Sequence, residues 1–357
     1  MDRSRNLPSD LLPEHSALQH EHAPRPLPLF LELLRQVSGK DPELARDALA
    51  GLKAYEVAPR EPPSPSKPEI ARVRGACLRD HGGRGPPALL IPSLINPPRI
   101  LDLDSDASLT DAIACMGRQV LLLDWGPADE RKDLNVAAHI EDLLQPLLRG
   151  IGEPVALIGY CLGGTMAVAL SNIAPCERVV TVAAPWNFAR YPEPSRKSLD
   201  DMWRHSQAAS RSLGALPMEV LQAAFWSLDP ERTVRKFADF GRLDPHSGHA
   251  RRFVALEDWA NEGEALPYPA ARELIEDMFG LDLPGAGGWQ VGGRRIRGLP
   301  EVPTLHILAA HDRIAPAATA PDGESIAIPA GHVGMIVGSA RARLHDALKA
   351  FLDPACR

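Results

Sequence analysis

The chain has 357 residues, 45% of them hydrophobic and 24% charged, with 39 basic against 46 acidic side chains and a formal net charge of −7. Those proportions are ordinary for a globular chain and exclude a wholly disordered polymer, a collagen-like repeat and a small disulfide scaffold. The acidic balance gives no electrostatic reason to bind nucleic acid or an anionic membrane.

Five cysteines (Cys77, Cys115, Cys161, Cys176 and Cys356) are odd in number, widely spaced and without a CxxC pair, which argues against a disulfide framework or a zinc site. The opening residues Met1–Pro8 lack the apolar core of a signal peptide. No apolar run approaches the roughly 20 residues that span a bilayer. A reducing cytoplasm is the expected setting.

In chain order, residues 1–27 are polar, rich in Pro and His, and read as a mobile tail. Leu27–Val37 has helical apolar spacing, and Asp41-Pro42 reads as an N-cap with proline at the first helical position of a second helix. Five prolines between 59 and 68 make a stiff linker, so the folded core is expected from Glu69. Six short apolar runs then read as buried strands: Ala88–Ile91, Gln119–Asp124, Val155–Gly159, Val179–Ala183, Thr304–Ala309 and Ser325–Ile328. Candidate helices alternate with them at Leu109–Met116, Val136–Leu148, Cys161–Asn172 and Ala340–Leu352. This alternation predicts an α/β fold with a doubly wound, mostly parallel sheet. Between Pro185 and Thr304 the rhythm breaks; Met202–Phe279 reads as a helical cap over the carboxyl edge of the sheet, in a region carrying Trp203, Trp226, Trp259 and Trp289. The expected division is a flexible Pro-rich extension with two short helices (1–68), a first core part (69–201), a mainly helical cap (202–289) and a second core part (290–357).

The sharpest chemical signal is Gly159-Tyr160-Cys161-Leu162-Gly163-Gly164, between a strand and a helix. That context is a nucleophile elbow: glycines allow a tight reversal, the nucleophile sits at its tip, and the helix dipole favours a thiolate. The other four cysteines read as structural thiols, the usual state of free Cys. Leu162 would offer its N–H to a developing oxyanion. A thiol nucleophile needs a base and an orienting acid, which in this fold follow in the order nucleophile, acid, His. Asp312, past Thr304–Ala309, and His332, in Gly331-His332-Val333-Gly334, stand where that order requires. His311 is a poor base on geometric grounds, and Asp124 precedes the nucleophile and reads as orienting its loop. A second oxyanion donor would come from Pro92–Pro98, with Ile95 the chosen N–H.

These residues resemble the polyhydroxyalkanoate synthase family, within the α/β-hydrolase superfamily. The resemblance lies in the Gly-Tyr-Cys-Leu-Gly-Gly box, Pro92–Asn96 followed by Ile100–Leu103, Leu123–Gly126, Leu256-Glu257-Asp258-Trp259, His311–Pro316 and Gly331–Gly334, in that order over roughly residues 70–352. Dienelactone hydrolases carry a similar Cys box, so the ordered set is what gives specificity. The chain is similar to the short, class III-like members. The resemblance implies an α/β-hydrolase fold with an inserted cap, Cys161 as acyl-carrying nucleophile, His332 as base and Asp312 as its partner. It also implies (R)-3-hydroxyacyl-CoA as substrate with no cofactor or metal, a second, unrelated subunit, a polyester granule surface and a homo-oligomer. Three departures stand out: only twenty residues separate Asp312 from His332, which predicts a trimmed helix there; Pro97-Pro98-Arg99 replaces the family's basic and aromatic residues; and the Pro-rich N-terminus has no counterpart. Two other readings of the chemistry remain open at this stage. One is a Cys-dependent hydrolase (depolymerase, thioesterase or dienelactone-type), and the other is a non-enzymatic granule or scaffold protein.

Overall fold

A computed structural model describes residues 22–62, 65–298 and 300–353; most of the expected N-terminal tail, and Cys356, lie outside the described residues. Near-continuous apolar runs assemble into one eight-stranded sheet: β1 (Glu69–Val73), β2 (Ala76–Asp80), β3 (Pro87–Ile91), β4 (Gln119–Asp124), β5 (Ala156–Tyr160), β6 (Arg178–Val182), β7 (Thr304–Ala309) and β8 (Ser325–Ile328). The spatial order is β1-β2-β4-β3-β5-β6-β7-β8. The strands from β4 to β8 run parallel, and the β1–β2 hairpin is added antiparallel at one edge. All six expected strands are present with ends shifted by a residue or less, so Val155–Gly159 becomes Ala156–Tyr160. The hairpin was not anticipated. Its outer strand, Glu-Ile-Ala-Arg-Val, is exposed along most of its length and carries charge instead of an apolar run, as edge strands do.

Parallel strands bury both faces. One face packs against α4 (Leu162–Ile173) and the helical stretch that follows β4, and the other against α3 (Leu109–Cys115) and α9 (Arg341–Leu352). The helix expected at Val136–Leu148 runs on to Ile151, and its middle, His139–Leu144, is π-helical. The loop between Asp312 and His332 holds a three-residue 3₁₀ turn and β8 but no α-helix, as its shortness predicts.

Over the carboxyl edge lie α5 (Glu193–Leu213), α6 (Met218–Ser227), α7 (Pro230–Phe240), α8 (Gly248–Asn261) and a last helical stretch ending at Gly280. Helical structure therefore begins at Glu193, upstream of the expected Met202. Residues 27–56, expected within a flexible extension, are docked on these helices. Phe30, Leu34, Ala48, Leu52 and Tyr55 from α1 (Leu27–Ser38) and α2 (Pro42–Glu56) share a core with Phe237 and Val254. Asp41 caps α2 through the Leu44 N–H (2.9 Å), as its sequence position predicts. The Tyr55 hydroxyl donates to Asp258 (2.6 Å), and Arg60 pairs with the same carboxylate (3.2 Å), so the sequence after α2 is also tied down.

The centre of the fold is the crossing of β5, α4 and β3. A Cβ at Gly163 would stand 2.1 Å from the Ile91 carbonyl oxygen, and one at Gly159 would stand 2.4 Å from that of Gly163. Gly163→Ala is therefore expected to destabilise the protein by at least about 2 kcal/mol through overpacking against backbone. Denaturant unfolding with an unchanged midpoint would contradict that.

Candidate active site

The elbow forms as its glycines require. Cys161 lies between β5 and α4 with φ 56° and ψ −131°, a region that strains any non-glycine residue by about 1–3 kcal/mol. The strain is held by packing: the Cys161 N–H donates to the Val182 carbonyl (3.0 Å), and Gly164 bonds back to the Cys161 carbonyl (2.9 Å). The sulfur-bearing residue is only partly buried and lines a cavity of about 300 Å³ under the cap.

Asp312 follows β7, and His332 follows β8. The His332 Nδ1–H donates to Asp312 Oδ2 at 2.6 Å, while Asp312 Oδ1 accepts the Ile314 and Ala315 N–H groups at 2.8 and 2.9 Å. The carboxylate is thus fixed by its own loop, and only 8% of the residue is exposed. With Nδ1 engaged, Nε2 is the ring nitrogen left to face Cys161, which lines the same cavity. Burial by itself would depress the His332 imidazole. The charge of Cys161 and the hydrogen bonds from Asp312 and Cys161 outweigh it and raise the ring to about 10. The protonated form of the ring is thereby favoured. The three residues singled out in the sequence therefore meet.

The other expected residues are placed as follows. Leu162 is the first residue of α4, so its N–H has no carbonyl of its own helix to bond, and the residue lines the same cavity as Cys161. Ile95 also lines the cavity, but its N–H points at Ser93 Oγ over a long 3.4 Å. His311 is exposed and does not line the cavity shared by Cys161 and His332. Asp124 accepts the Gly126 N–H (3.1 Å) and pairs with Arg79 (3.3 Å), which orients its loop.

Several supporting residues carry little sequence signal. The Tyr160 ring lies 5.0 Å from the His332 ring, and its hydroxyl donates to the His332 carbonyl (3.4 Å). Tyr191 donates to the Ile314 carbonyl (2.9 Å) and steadies the Asp312 loop. Trp259 donates from Nε1 to Pro97 (2.9 Å), tying α8 to the loop that carries Ile95. Of the four tryptophans past Trp186, Trp226 and Trp259 line the cavity; Trp203 and Trp289 instead bond the carboxylates of Glu276 (2.9 Å) and Glu273 (2.7 Å). Among the described residues, no cluster of three His, Cys, Asp or Glu could hold a metal ion, and no helix is long and apolar enough to cross a membrane.

A Cys at the elbow of a mostly parallel eight-stranded sheet, with a His–Asp pair on loops past the last two strands, is the layout of an α/β hydrolase. The chain belongs to the alpha/beta hydrolase fold family, whose model matches residues 99–339. It is similar to the poly(3-hydroxyalkanoate) polymerase subunit PhaC of Allochromatium vinosum, at 26% identity over 75% of this chain and 80% of that one. The PhaC subunit of Haloferax mediterranei is also 26% identical, over 71% of this chain; there the match spans about half (55%) of the relative's length. Among solved structures, a thermophilic esterase from Thermogutta terrifontis superposes with a TM-score of 0.43 at 15% identity, covering 80% of this chain and 98% of that one.

Because folding raises the His332 ionisation, the interactions of the charged ring with Cys161 and Asp312 stabilise the protein fully below the unfolded value near 6.5 and are lost as pH rises through about 10. Asp312→Asn should therefore lower the melting temperature clearly at pH 6 and much less at pH 10. Thermal unfolding of both proteins at the two pH values measures this, and an undiminished gap at pH 10 would contradict it.

Proposed function

We propose that the protein is an acyltransferase that polymerises (R)-3-hydroxyacyl-CoA into polyhydroxyalkanoate, with Cys161 as nucleophile, His332 as base and Asp312 as orienting acid. The observation that carries the reading is a thiol, rather than a hydroxyl, at the strained elbow, sharing its cavity with an imidazole held by a buried carboxylate. The likeness to poly(3-hydroxyalkanoate) polymerase subunits supports the choice of substrate.

The Cys161 thiolate attacks the thioester carbonyl carbon; the bond to the CoA sulfur breaks, and CoA departs with a proton from His332. One thioester replaces another at little cost, so the acyl group keeps its transfer potential. The 3-hydroxyl of a second hydroxyacyl unit or of a chain end then attacks. His332 takes the hydroxyl proton, an oxoester forms, and the Cys161 thiolate is regenerated. A serine nucleophile would spend that potential at the first step. The oxyanion formed in each step is assigned to the N–H groups of Leu162 and Ile95; the weak Ser93 contact is readily given up for an anionic acceptor.

Transfer requires that water be kept from the acyl-enzyme. Residues 202–289 are assigned this capping role, with Trp226 and Trp259 walling the cavity. The substrate is a CoA thioester and no further cofactor is assigned. A cytoplasmic setting, a second synthase subunit, a homo-oligomer and a polyester granule surface complete the proposal.

Purified protein and Cys161→Ala, given 3-hydroxybutyryl-CoA, test it. Wild type should release CoA and form polymer, and the variant should lose more than about 1,000-fold in rate. His332→Gln should lose about 100-fold or more. Free 3-hydroxy acid in place of polymer would mark a hydrolase, and CoA release independent of Cys161 would overturn the mechanism.

A further inference from the structure

The cavity under the cap is walled mostly by apolar side chains; apart from the buried Trp226 N–H, a donor without a partner among the described residues, nearly every polar group on its wall is already engaged. Tyr191 and Tyr160 donate to carbonyls of the Asp312 and His332 loops. Lys236 is held by both carboxylate oxygens of Glu257 at 2.7 Å. The Trp259 N–H is taken by Pro97, and Ser93 accepts the Ile95 N–H. Asn96 stands on the half-exposed rim of its loop, within reach of solvent.

Gln222 is different. It lies in the middle of α6, lines the same cavity as Cys161, is only 7% exposed, and its amide has no hydrogen-bond partner among the described residues. Its amide atoms stay open to the cavity; an acyl chain that sealed them off without a partner would cost about 1–3 kcal/mol, so a carboxamide at this place calls for a ligand group to satisfy it. Leucine would fill a similar volume without that cost, and the neighbours Leu221 and Phe225 show how apolar the rest of this helix face is.

We infer that Gln222 is a specificity-determining residue that hydrogen-bonds the hydroxyl of a hydroxyacyl group in the cavity and so selects hydroxyacyl over plain acyl thioesters. A primary carboxamide fits a hydroxyl on both sides: its carbonyl accepts the O–H, and its N–H donates to the oxygen. A saturated acyl chain would leave the amide buried and unpaired, which is the stronger route to discrimination between two substrates that otherwise fill the same apolar space.

The assignment rests on the acyltransferase reading, so it is tested by binding, apart from turnover. In the Cys161→Ala protein, which leaves the thioester intact, titration calorimetry compares (R)-3-hydroxybutyryl-CoA with butyryl-CoA. The hydroxy compound should bind about tenfold tighter. Adding Gln222→Leu should remove that preference while butyryl-CoA affinity holds or improves, which also shows that the double variant is folded. A preference that survives Gln222→Leu, or no preference or no binding at all in Cys161→Ala, overturns the assignment. Cys161-dependent CoA release in wild type with a preference indifferent to Gln222 would sink this inference and leave the acyltransferase standing. A Gln222-dependent preference in binding without any turnover would do the reverse.

Discussion

The site depends on one backbone constraint: a non-glycine residue must hold φ 56° where a strand turns into a helix. Three elements share the strain. The Gly159, Gly163 and Gly164 backbones pass so close to one another, and to Ile91, that no side chain fits between them. That crossing fixes β3, β5 and α4 together and leaves the Cys161 side chain nowhere to go but out over the carboxyl edge. The direction of the thiol is thus a consequence of main-chain packing.

The sulfur then has to be met. His332 reaches it from a loop with little regular structure, so its orientation has to come from contacts. Asp312 supplies one through Nδ1, and Tyr160, the residue preceding the nucleophile, supplies another by lying against the ring. Asp312 in turn is held by two N–H groups of its own loop, which Tyr191 and the Arg313–Asp229 ion pair (2.7 Å) tie to the rest of the molecule. Asp312 thus accepts three hydrogen bonds in a buried place, and Cys161 together with Asp312 raises the ionisation of the His332 ring. Burial opposes the same protonation and is outweighed. The balance between those two effects is what makes the thiol a candidate nucleophile.

The helices over the sheet are anchored on both sides. Trp259 and Arg99, the latter through Glu262 (2.8 Å), join α8 to the loop bearing Ile95; Tyr55 and Arg60 grip Asp258 from the N-terminal side. Adjacent residues of one motif, Asp258 and Trp259, therefore face opposite ways: one bonds the N-terminal segment and the other the loop bearing Ile95. Gly51 permits the contact, since a Cβ there would run into the Phe237 carbonyl. The N-terminal helices act as a brace on the cavity roof, with their own aromatic cluster of Phe30, Tyr55, Trp226 and Phe237.

Sequence by itself determined the six parallel strands and the elbow, and it singled out Cys161, Asp312 and His332 as candidates. Each of these rests on local signals: an apolar run, a glycine pattern at a turn, a polar residue just past a strand in a required order. The β1–β2 hairpin escaped because its charged outer strand shows no apolar run, and the π-helical stretch at His139–Leu144 because its hydrogen bonds span only one residue more than those of an α-helix. Only the tertiary structure decided that the N-terminal helices dock, that two of the four tryptophans wall the cavity while two bond carboxylates, and that the Ile95 N–H turns toward Ser93. It alone picked out Gln222, a residue with no motif, whose meaning comes from the apolar walls and spent polar groups around it. Those facts depend on which surfaces meet across long stretches of chain, and no local pattern of residues encodes that.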